Sequence, residues 1–181
     1  MNTNAVRIQK LVLAAICLAL CMVLPLLTGQ IPEIGGMLCP MHIPILLCGF
    51  TAGPAWAAAI GAVAPLLRFA LFGMPPIFPT GIAMCFELAM YGAVSGMLYA
   101  ALPRRVSSLY AALLAAMLLG RIAWGVVRAL LSGVAGASFT WAAFMAGAFT
   151  SAIPGIILHI VLIPMLVLAL ERTLPWLKSL R

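Results

Sequence analysis

Residues 46–99 read LLCGFTAGPAWAAAIGAVAPLLRFALFGMPPIFPTGIAMCFELAMYGAVSGMLY, and this stretch decides the fold. Two long apolar runs flank a proline cluster, and the only charged side chains among them are Arg68 and Glu87. The runs are continuous instead of alternating with polar residues, so they read as helices and not as strands of a β-barrel. Each has the length to cross a hydrocarbon core, which takes about 20 apolar residues in a helix. Pro75, Pro76 and Pro79 cannot sit in a helix interior, so GMPPIFPT (73–80) is a turn. A charge at membrane depth is costly, which makes Arg68 and Glu87 candidates for function.

The pattern extends in both directions. Helices are predicted at 8–27, 42–53, 55–72, 81–102, 107–131 and 140–170, the second short for a full span and the last too long for one. Either Pro154-Gly155 kinks that last region or a short interfacial helix precedes the span. Residues 28–41 (TGQIPEIGGMLCPM) form a polar loop, Gly53-Pro54 and Pro103-Arg104-Arg105 punctuate the chain, and 132–138 is a Gly-rich link. With 66% hydrophobic and 7% charged residues, the 181-residue chain cannot build a water-facing surface, which usually needs about a quarter charged. The expected fold is an all-α integral membrane protein, a bundle of six transmembrane helices in a single domain over 1–181. The first run follows Arg7 and Lys10 as a signal peptide would, yet it is long for one and lacks a small-x-small site, so a retained helix is expected. No internal repeat supports the inverted-repeat design of many secondary transporters.

The net charge of +7 fits a membrane topology better than nucleic-acid binding. With the N-terminus inside, the cytoplasmic segments carry Arg7, Lys10, Arg104, Arg105, Arg172, Lys178 and Arg181, while the outer loops carry only Glu33. That obeys the positive-inside rule and puts both termini in the cytoplasm. None of the five cysteines forms a CxxC pair, so they read as small hydrophobes and not as a disulfide framework.

Four ionisable groups fall inside the spans: Arg68, Glu87, Arg121 and Arg128. Arg121 and Arg128 share a helix face with Trp124 between them, and Glu87 shares one with Tyr91. Arg68, Glu87 and Arg128 lie at similar depth on three helices, as a shallow polar cavity open to the outside requires. Three arginines against one glutamate leave positive charge that needs a counter-ion in low dielectric. A small anionic ligand supplies one, and the guanidinium fork suits a carboxylate. The alternative is a Glu87–Arg staple between two helices, with Arg68 snorkelling to the interface. His42 and His159 lack metal-ligand spacing and are either structural or cavity-lining. Met74 and Met84 fall near the outer mouth, where they could shape an adaptable pocket. Trp56, Trp141 and Trp176 fall at span ends, as interfacial residues do. No catalytic, metal-binding or nucleotide-binding motif is present, so an enzyme is not expected and any ATP would be used by partner subunits.

Three features together carry a family resemblance: Ala15-x-x-x-Ala19, the loop ending Pro40-Met41-His42-Ile43-Pro44, and the 46–99 run. They resemble the substrate-binding S component of an energy-coupling factor (ECF) transporter, most closely the branch containing riboflavin and pantothenate carriers. The resemblance implies a bacterial plasma-membrane protein that captures a vitamin or precursor from outside. It would then dock on an ECF module, a membrane T component with two ATPase subunits. It also implies that Ala15 and Ala19 contact the T component. The 28–41 loop, the 73–80 turn and the outer halves of the fourth to sixth helices would enclose the ligand. Arg68, Glu87 and Arg128 then acquire a common purpose, since pantothenate, with one carboxylate, suits an Arg-rich site with Glu87 and Tyr91 as hydrogen-bonding partners. The competing classes are a stand-alone carrier or channel, a structural subunit, and an S component for riboflavin, pyridoxine or a pyrimidine precursor.

Overall fold

The computed structural model describes residues 3–27, 31–103 and 105–179; Arg104, Arg181 and the first residues of the 28–41 loop lie outside them. The described residues form helices α1 (Thr3–Leu27), α2 (Pro32–Leu38), α3 (His42–Thr51), α4 (Pro54–Phe72), α5 (Ile82–Ala101), α6 (Val106–Val134), α7 (Trp141–Met145) and α8 (Ile153–Thr173). No strand occurs among them. Among the described residues six segments are long and apolar enough to cross a membrane, the second combining α2 and α3 over Glu33–Thr51.

Two sequence expectations are refined. The 28–41 loop contains α2, which starts at Pro32, a residue suited to the first helical turn because its missing N–H leaves nothing unpaired. The last region does not run as one kinked helix. The short α7 and a π-helical turn, Ala146–Thr150, precede α8, which takes Pro154 into its first turn. The proline cluster ends, as expected, in a turn, closed by a π-helical segment Ile77–Gly81 in which Phe78 is extended.

Helix α5 is central, packed on α3, α4 and α6. Lipid is as apolar as leucine, so contacts between spans rest on close packing, and small residues allow it. A Cβ at Gly92 would meet the Ala57 carbonyl carbon at 2.6 Å, and one at Gly96 would meet Pro54 N at 2.6 Å. The α4–α5 crossing is therefore backbone against backbone. Ile45, Leu46, Leu88, Leu109, Leu113 and Ile163 fill the core. On the outside, Leu11, Ile16, Phe86, Leu118, Val126 and Met165 are all exposed. Such a surface is a liability in water and ordinary against lipid tails.

The two ends of the bundle differ. At one end Lys10 lies beside Gly53, Gly96 meets Pro54, and Tyr99 donates to Glu171 Oε1 at 2.9 Å. Arg105 and Arg172 are exposed at this end. The opposite end carries α2, the proline turn and α7, and holds the cavity.

Candidate functional site

At the cavity end, three short structures cover the mouth of the bundle: α2, the 73–81 turn and the π-helical turn after α7. α2 can lie on the start of α8 because Gly155 has no side chain; a Cβ there would sit 3.0 Å from the Leu38 carbonyl oxygen. Beneath them is a cavity of about 530 Å³. That is within the range of small-molecule sites, roughly 300–1,000 Å³. Pro25, Ile31, Met41, Met74, Met84 and Trp124 give it apolar walls, and Arg68, Glu87, Arg121, His42, Thr80 and Ser151 add polar groups.

The floor is built around Glu87. Arg121 Nη1 lies 2.9 Å and His42 Nε2 3.1 Å from the same oxygen, Glu87 Oε1. Glu87 is 2% exposed, so this is a desolvated ion pair between α5 and α6, with α3 contributing the imidazole. Tyr91, one turn along α5, packs edge-on against His42 with centroids 4.8 Å apart, and Gly120 leaves space for its ring. Arg121 Nη2 also donates to Cys39 Sγ at 3.2 Å. Cys39 closes α2 in the left-handed region at φ 48°, a conformation that favours glycine. Even so, Arg121 Nε and His42 Nδ1 are buried without a hydrogen-bond partner. Buried polar atoms without a partner are rare in native structures, and each calls for an explanation.

Arg68 stands apart from this cluster. Its Nη1 donates to the Met22 carbonyl at 2.8 Å, and its guanidinium lies 5.0 Å from the Phe72 ring centroid. No carboxylate pairs with it among the described residues. It is 4% exposed and lines the cavity, so it does not snorkel to the interface. The staple alternative is therefore half met, since Glu87 does pair with Arg121 but Arg68 remains in the site.

Of the eight side chains singled out from sequence as substrate-binding, Arg68, Glu87, Arg121, His42 and Trp124 line one cavity. Tyr91 lies behind His42. His159 is 2% exposed, with its ring 6.0 Å from that of His42. Arg128 does not line the cavity; its Nη1 donates to Thr80 Oγ1 at 2.7 Å, bracing the proline turn. Sequence reasoning missed Cys39 as the partner of Arg121, and missed Gly147 and Ser151, which reach the cavity because a π-helical turn interrupts the final helical region. Such turns often mark functional sites, but no residue pattern in 146–150 announces one. Trp124 stacks on Phe144 at 6.4 Å and meets Phe139 edge-on at 5.9 Å, forming an aromatic wall below α7. Among the described residues no group of three or more His, Cys, Asp or Glu is placed to hold a metal ion. Ala15 and Ala19 are both exposed on one face of α1, away from the cavity.

Residues 9–167 match the family described as "ECF transporter, substrate-specific component". No curated protein and no solved structure matches the chain. The match spans most of the chain, which therefore belongs to this family.

Proposed function

Since the chain is a substrate-specific component of an ECF transporter, we propose that it binds a small water-soluble vitamin or vitamin precursor in the α2-covered cavity. It then hands that ligand to an ATP-driven module of a T component and two ATPase subunits. The observation that carries the reading is the cavity itself. It combines apolar walls, one cation without an acidic partner, and buried polar atoms left unpaired. Pantothenate is the ligand that suits these features best, having one carboxylate and several hydroxyl and amide groups. Riboflavin and pyridoxine would leave the cation without a counter-charge. The exposed basic residues at the opposite end favour an orientation with that end and both termini in the cytoplasm of a bacterial cell, so that the cavity faces outward. Ala15 and Ala19 offer the T component a flat strip for close helix packing.

The test is thermal stabilisation of detergent-purified protein against a panel of B vitamins and precursors. A ligand at a hundred times its Kd should stabilise the protein by about 2.7 kcal/mol. One strong hit, pantothenate above all, is the expected result. A folded protein that responds to no member of the panel would contradict the reading.

A further inference from the structure

We infer that the site selects a singly charged carboxylate and holds it in one orientation. The carboxylate meets Arg68, and the uncharged hydroxyl or amide end meets the Glu87–Arg121–His42 floor. The inference rests on the proposed vitamin-binding function and assigns the chemistry of that same cavity.

The charge count comes first. Two arginines and one glutamate line the cavity, and Glu87 is in ion contact with Arg121. Counting these arginines and this glutamate alone, one positive charge is left over, and it belongs to Arg68. Arg128 is not itself in the lining; its guanidinium donates to Thr80, which is. Among the described residues this buried guanidinium has only a carbonyl and an aromatic face for company, which leaves most of its donors to satisfy. One carboxylate matches both the charge and the planar fork. A dianion would leave negative charge uncompensated, and a neutral ligand would leave Arg68 so.

The floor carries no such surplus, since Glu87 is paired there with Arg121. A second carboxylate there would face Glu87 and be repelled in low dielectric. Arg121 Nε and His42 Nδ1, on residues that line this floor, are buried without a hydrogen-bond partner. The two regions thus ask for different chemistry, and a ligand with a charged end and a neutral polar end fits in only one direction.

The test measures Kd by titration calorimetry for matched pairs differing only at the acid: pantothenate and pantothenyl alcohol, nicotinate and nicotinamide, biotin and biotinamide. Riboflavin and pyridoxine serve as neutral controls. Wild-type protein should bind one carboxylate at least roughly 30-fold tighter than its neutral counterpart, the lower end for removing one partner of a buried charge pair. Arg68→Gln should erase that preference by weakening the acid alone, and Arg68→Lys should restore part of it. The wild-type pairs need no variant to fold, so the comparison stands even if Arg68→Gln is unstable. Binding of a neutral compound as tight as its acid, or equal weakening of both by Arg68→Gln, overturns the orientation and leaves vitamin binding intact. Failure of every compound to bind overturns the functional proposal, and this inference with it.

Discussion

Glu87 holds the site together. Its carboxylate, 2% exposed, contacts Arg121 from α6 and His42 from α3 through a single oxygen. A buried pair of this kind adds little net stability while intact, but removing one partner strands the other charge at a cost of about 3–5 kcal/mol. Glu87→Gln and Arg121→Gln should each lower stability by about that much in thermal unfolding of the purified protein. The double variant should cost less than the sum of the two, with a coupling of about 0.5–3 kcal/mol. Strict additivity would mean that the pair is not coupled as its 2.9 Å contact implies. Much of this was legible, because a charge in an apolar run stands out in the sequence. Cys39 was not legible. Nothing in its neighbours marks a left-handed thiol that accepts from a guanidinium. Arg128 shows a second limit: spacing gives the face and depth of a helical residue but not the neighbour that takes its side chain. It lies about 10 Å along the axis from Arg121, far enough to meet Thr80 instead of the floor.

Among the elements, α4 and α5 followed from apolar runs ended by Gly53 and by the proline cluster, and these signals are local. α2 was hidden because PEIGGML contains two glycines and too few residues to be a stable helix alone. It exists through packing on α8, made possible at Gly155, and packing partners cannot be read from seven residues. The α4–α5 crossing depends on the same physics. Gly92→Leu would drive a side chain into the Ala57 backbone. It should destabilise by about 3 kcal/mol or more, at or beyond the upper end for overpacking. Gly133→Ala makes a matched control on α6, where a Cβ meets nothing within 4 Å. That change should be neutral or stabilise by up to about 1 kcal/mol through helix propensity. Melting temperatures of the two variants decide the matter, and equal effects would contradict the close crossing.

For the whole molecule, the two ends of the bundle have separate tasks. One end encloses a cavity under α2, the proline turn and the aromatic wall; the other presents exposed basic residues. α1 connects them and carries Ala15 and Ala19 on an exposed face. Neither alanine touches the cavity, so ligand capture and delivery should be separable by mutation. The most direct measurement is uptake of the proposed vitamin into proteoliposomes containing this protein with the proposed module of T component and ATPases, comparing wild type with Ala15→Leu/Ala19→Leu. The leucines would project from an exposed face into lipid or partner, so folding and ligand affinity should be unchanged while ATP-driven uptake falls to background. Full uptake by the double variant, or wild-type uptake with no module present, would contradict the account.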